Sequence, residues 1–205
     1  MRRELATLLS GLFAQAPPDP PRLRITDSWP NVDLINQFGQ ELRFRDAFLA
    51  DDRALIINPM YTTCRGSCPG TSATLEELRE TLAPVFGRRL AFVSFSVDPV
   101  VDRPARLLSY AKLYGAGEAA GDLPQWQFVT GTPEGIDALR RALGFFDLDP
   151  RVDRDPARHA ATLLFGNSRT DRWSTLPSGL RTPLLVETIR RVAGTTFEQR
   201  YGIRG

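Results

Sequence analysis

The sequence predicts an α/β domain: a central mixed β-sheet flanked by helices, with a β-hairpin at its N-terminal side. Three observations predict it. ALIIN (Ala54 to Asn58) and LAFVSFSV (Leu90 to Val97) are continuous apolar runs, as expected of strands buried on both faces. Between and after them, apolar residues recur at helical spacing. Near the end, ATLLFGN (Ala161 to Asn167) and DRWSTL (Asp171 to Leu176) read as a hairpin. Strands alternating with helices, then a hairpin and a last helix, give a mixed sheet with helices on both faces.

In chain order, VDLINQFGQELRF holds two short apolar-polar runs around Gln37, Phe38 and Gly39, a hairpin. The first buried strand follows. Residues 69–86 form a helix with Leu75, Leu78, Leu82 and Val85 on one face. After the second buried strand, residues 103–114 form a helix with a stripe of Leu107, Leu108, Ala111 and Tyr114. WQFVTG is a short strand. Residues 133–143 form a helix with Pro133 in its first turn and Gly144 beyond its end. After the terminal hairpin, residues 183–192 form the last helix.

The 205 residues suit one domain, and 42% hydrophobic against 24% charged residues excludes wholesale disorder. Residues 31–194 are the expected folded domain. Residues 17–30 hold five prolines and read as a linker, and 195–205 read as a loose tail. Residues 1–16 have two early arginines, an apolar stretch and Ala14-Gln15-Ala16 before prolines. That is the grammar of a short secretory signal, with a frayed helix as the alternative. The basic residues are 25 arginines and Lys112, interleaved with acids, so no clustered nucleic-acid-binding face is expected. No apolar run approaches the roughly 18 residues of a membrane span.

The chemistry concentrates in NPMYTTCRGSCPGTSATL, Asn58 to Leu75, which carries both cysteines of the chain, Cys64 and Cys68. The pair follows a central strand and opens a helix, at the carboxyl edge of the sheet where open α/β folds place their sites. Pro69 suits a first helical position, which makes Cys68 the expected N-cap and places its sulfur at the positive end of the helix dipole, favouring its thiolate. Thioredoxin-type disulfide exchange uses two intervening residues; here there are three, Arg65, Gly66 and Ser67. A disulfide remains possible at this spacing, and chelation of one soft metal ion, Cu(I) or Zn, suits it at least as well. The only histidine is His159, just before the predicted strand that begins the terminal hairpin. A lone histidine is ordinarily a surface or core residue; its place before this strand makes it a candidate third ligand.

With these motifs on view, the sequence resembles the Sco (SenC) family of thioredoxin-fold copper proteins from about Val32 to Val192. The resemblance rests on INQFGQELRFRD, Tyr61-Thr62-x-Cys64-x3-Cys68-Pro69, SVDP (Ser96 to Pro99), WQFVTG (Trp126 to Gly131) and His159 ahead of a strand. It implies a thioredoxin-like fold and copper bound by Cys64, Cys68 and His159, with His159 in the loop that carries the cis-proline of thioredoxins. It further implies a periplasmic copper chaperone that supplies a copper enzyme such as the CuA site of cytochrome c oxidase. A thiol-disulfide reductase acting through Cys64 and Cys68, or a redox or copper sensor, are the alternatives. Thr63 and Arg65 beside Cys64, and GNSRTDRW in the terminal hairpin, depart from the commoner family pattern. Asp98 reads either as a carboxylate supporting the site or as a turn former before Pro99.

Overall fold

The computed structural model describes residues 23–118, 121–155 and 161–202. Residues 1–16, expected as a signal or frayed helix, lie outside the described residues, and so does His159. The sheet has seven strands in the order β2-β1-β5-β4-β3-β6-β7. The N-terminal hairpin is β1 (Asp33–Asn36) and β2 (Glu41–Arg43). Its turn is closed by the Asn36 side chain, which accepts from the amides of Phe38 and Gln40, and by Gly39 at a φ of 77°. The two apolar runs are the central strands β3 (Ala54–Met60) and β4 (Leu90–Ser96), and WQFVTG lies in β5 (Gln125–Gly131). These three are parallel, while β1 joins β5, and β6 (Thr162–Asn167) joins β3, antiparallel. Strand β7 (Arg172–Pro177) completes the terminal hairpin.

The period-two alternation of β3 builds two cores. Ala54 and Ile56 face one side with Phe92, Phe128 and Phe165, under α2 (Cys68–Phe86), α3 (Pro104–Lys112) and α6 (Thr182–Ala193). Leu55 and Ile57 face the other with Val93, Phe95 and Leu164, under α1 (Phe44–Phe48) and α4 (Pro133–Ala142). Of the expected α2 stripe, Leu75, Leu78 and Leu82 are fully buried, but Phe86 rather than Val85 completes it. Similarly Tyr110 joins Leu107 and Ala111 in the core from α3, with Leu108 and Tyr114 at its margin. A short helix, α5 (Pro150–Asp153), precedes β6.

Two segments expected to be loose are packed. Trp29, within the expected linker, is 3% exposed and meets Trp173 edge-on at 4.5 Å. Just before it, the amides of Ile25 and Thr26 donate to the Asp171 carboxylate. In the expected tail, α7 (Phe197–Tyr201) is fixed by a capping box between Thr196 and Gln199, and Arg190 of α6 donates to the carbonyls of Glu198 and Gln199. The prolines and the polar tail composition concealed these anchors. Among the described residues, no helix is long and apolar enough to cross a membrane.

Gly166 pairs with Trp173 across β6 and β7, and a Cβ at Gly166 would overlap the Trp173 ring and the Arg172 carbonyl. Gly166→Ala should therefore destabilise the domain by about 1–3 kcal/mol through overpacking, read as a lowered denaturation midpoint with an unchanged slope.

Candidate metal centre

The cysteine turn leaves the end of β3 and enters α2. The helix begins one residue earlier than expected. Ser67 already has helical torsions, φ −77° and ψ −23°, and its carbonyl accepts the Thr71 amide at 2.9 Å. Ser67 is thus the cap, Cys68 the first helical residue and Pro69 the second. Cys64 sits back in the turn, its amide donating to the Tyr61 carbonyl at 3.2 Å. Cys68 is 9% exposed and Cys64 half-buried, both as free thiols.

The expectation that the thiolate resides on Cys68 is corrected. Burial, followed by the hydrogen bond to Cys64, pushes the Cys68 thiol up to about 12. Burial also opposes ionisation of Cys64. It is outweighed by hydrogen bonds from the Cys68 thiol, the Cys68 and Gly66 amides and the Tyr61 hydroxyl, which bring Cys64 below the ordinary thiol value. Tyr61 in turn is raised to about 12 by burial, by its bond to Cys64 and by the nearby cysteine and Asp155 charges. The result is that Cys64 gives up its proton more readily than the neutral thiol held against it. The helix N-terminus contributes an amide to Cys64 rather than a lowered pKa to Cys68.

The turn is held by a residue that the motif reading missed. Asp102 is fully buried and accepts from the Thr62 amide at 3.0 Å, from the Thr62 hydroxyl, and from the Ser96 hydroxyl at 2.6 Å. Asp98, the carboxylate considered from sequence, instead serves the turn through its backbone. Its amide donates to Ser96 Oγ at 3.0 Å and its carbonyl accepts the Asp102 amide at 2.9 Å. A buried loop carboxylate leaves no periodic trace in a sequence. The one available signal was its place three residues beyond SVDP.

Among the described residues, no cluster of three His, Cys, Asp or Glu side chains is poised for a metal. The donors in hand are the two sulfurs. The buried carboxylate at this turn, Asp102, is consumed by Thr62 and Ser96, while the two sulfurs are soft ligands. Both described flanks of residues 156–160 come to this turn. On one side, the Asp155 charge reaches Tyr61. On the other, the Ala161 carbonyl accepts the Ser178 amide at 2.7 Å, and the Ser178 hydroxyl meets that of Thr71, in the first turn of α2, at 2.8 Å. Upstream, Arg140 and Arg141 of α4 clamp the buried Asp153 of α5, at 2.6 Å and 2.7 Å.

A parallel-centred sheet with a paired-cysteine turn at its carboxyl edge and an added N-terminal hairpin defines a thioredoxin-like protein of the Sco type. Solved structures share the fold. A SCO1/SenC family lipoprotein from Bacillus anthracis str. Ames superposes with a TM-score of 0.62 at 19% identity, over 80% of this chain and 94% of that one. Arabidopsis thaliana ScoI with copper bound gives 0.60 at 17%, over 78% and 94%. BsSco, a member of the Sco family of cytochrome c oxidase assembly proteins in which a disulfide switch was identified, gives 0.58 at 18%, over 83% and 94%. No curated protein sequence matches the chain. The SCO1/SenC family profile matches residues 28–194, and the chain belongs to that family.

Two outcomes follow for the free thiols. Because the thiolate is the nucleophile, alkylation of the reduced protein should mark Cys64 first. Its rate should rise with pH below the ordinary thiol range, while Cys68 lags into strongly alkaline solution; peptide mapping of a pH series reads both. Asp102→Ala should cost about 2–4 kcal/mol, since it strands three donors at a buried position; chemical denaturation measures it.

Proposed function

We propose that the protein carries copper as cargo, on Cys64, Cys68 and His159, and delivers it to a copper enzyme such as the CuA site of cytochrome c oxidase. The observation that carries this reading is the pair of free sulfurs in one turn, Cys64 partly exposed and the more readily ionised, Cys68 buried and held protonated. Such a pair suits Cu(I), which is content with two soft ligands, and a third ligand suits Cu(II). His159 is proposed as that ligand because both described flanks of its segment are held beside the turn. The copper found in Arabidopsis thaliana ScoI, and the assembly role of the family to which BsSco belongs, support the same reading. Release begins at Cys64, the more exposed sulfur: an incoming thiolate replaces it first and Cys68 second.

A second reading is thiol-disulfide reduction of a partner, favoured by the same unequal sharing of a proton, which gives Cys64 the nucleophile and Cys68 the resolving thiol. The disulfide switch of BsSco supports it. We place either activity in the periplasm, on the signal-like residues 1–16 and on the extracytoplasmic maturation of such copper enzymes. Secreted material beginning at Pro17 would support that location, and intact cytoplasmic chain would oppose it.

Anaerobic Cu(I) titration, followed by oxidation to Cu(II), tests the site. The wild-type protein should bind near one equivalent and develop a sulfur-to-Cu(II) charge-transfer band. His159→Ala should keep Cu(I) binding and lose the band, with Cu(II) affinity falling at least the ~10–100-fold that even an outer partner of a ligand is worth. Equal loss of both oxidation states would overturn that division of labour, and unchanged Cu(II) binding would remove His159 from the ligand set. Absence of copper binding beside a readily cycled Cys64–Cys68 disulfide would leave the reductase reading.

A further inference from the structure

The rim of the cysteine turn is chemically lopsided. In the sheet, β3 lies between β4 and β6, so the turn is bordered on one side by the loop from β4 to α3 and on the other by the approach to β6. The β4 side carries two adjacent exposed valines, Val100 at 66% and Val101 at 37%. It also carries exposed Arg103 and Arg106 at the start of α3, and exposed Arg65 stands next to Cys64. Asp102, between Val101 and Arg103, binds Thr62 through its buried carboxylate, so this patch is stitched to the turn two residues before Cys64. Among the described residues, none of these three arginines is in an ion pair. Among the described residues, the acids beside the turn include Asp98, part-buried on this side, and Asp155 on the other.

The arginines do not serve the helix. Positive charge is unfavourable at a helix N-terminus, and the first turn of α3 has no acid to offset it. Nor do the valines serve the core. An apolar centre edged by arginine is the composition of an interface. We infer that this patch docks the protein that exchanges with Cys64, and that the partner presents its paired cysteines beside an acidic, apolar-centred surface. The inference rests on the exchange chemistry proposed above, in either form. Docking on the β4 side brings the partner to Cys64.

A copper-free exchange reaction tests it on the full reduced chain. The probes are two disulfide-closed peptides with the same cysteine spacing, one flanked by glutamates and one by lysines. Cys64 thiolate attacks the peptide disulfide, forming a mixed disulfide and releasing one peptide thiolate. Cys68 then loses its proton and attacks Cys64, giving the Cys64–Cys68 disulfide and the reduced peptide; two electrons pass from protein to peptide. The glutamate peptide should react about tenfold faster or more at low salt, with the ratio collapsing toward one at high salt. The double variant Arg103→Glu, Arg106→Glu should invert the preference. Val100→Ser should slow both peptides, and all variants should react normally with the small neutral 2-hydroxyethyl disulfide. Equal rates for the two peptides, a preference for lysine in the wild type, or variants that slow the neutral disulfide equally would overturn the docking surface. Copper titration is a separate readout: a chain that prefers the acidic peptide but binds no copper would refute cargo carriage and keep the surface.

Discussion

A carboxylate with no access to water has to be satisfied by the protein alone, and at Asp102 that requirement organises the whole site. Its partners come from three elements: the strand end at Ser96, the cysteine turn at Thr62, and the loop that its own backbone closes through Asp98. The Thr62 amide and hydroxyl and the Ser96 hydroxyl all converge on this carboxylate, so the turn is tied to the sheet rather than hanging from it. The sulfur positions inherit their precision from this tie. The exposed valines and arginines that follow β4 inherit their nearness to Cys64 from it as well.

The division of labour between the sulfurs has the same origin in burial. Cys68 faces the helical core beside Leu75 and Tyr110, where a charge is costly, while Cys64 lies among amides and a phenol that donate to it. Ionisation is therefore easier where the sulfur meets the outside and harder where it is buried. Metal carriage and disulfide exchange both need such an order, since each proceeds by attack or release at one sulfur at a time. This explains why one scaffold supports both readings of its function.

Much of this was legible in the sequence. The continuous apolar runs located β3 and β4, and Gly39 with its neighbours located the hairpin, because burial on two faces and a tight turn both leave local marks. The Cys-x3-Cys-Pro spacing located the turn. What the sequence did not disclose depends on contacts between distant segments. Trp29 reads as part of a proline-rich linker until Trp173 is brought to it. Asp102 reads as a surface acid until Thr62 folds over it. The choice of Cys64 as thiolate reverses a helix-dipole argument that was sound for an exposed cap but not for a sulfur 9% exposed.

The packing of Ile25 and Thr26 against Asp171 has a consequence for orientation. Asp171 lies in the turn between β6 and β7, beside the start of β3, since Ala54 pairs with Asn167. The cysteines lie beyond its far end. Seven residues of strand separate the two poles, roughly 23 Å at 3.3 Å per residue. The described chain thus enters the domain at its base, a full strand's length from the sulfurs, so the segment leading into Ile25 and the reactive turn occupy opposite ends of β3.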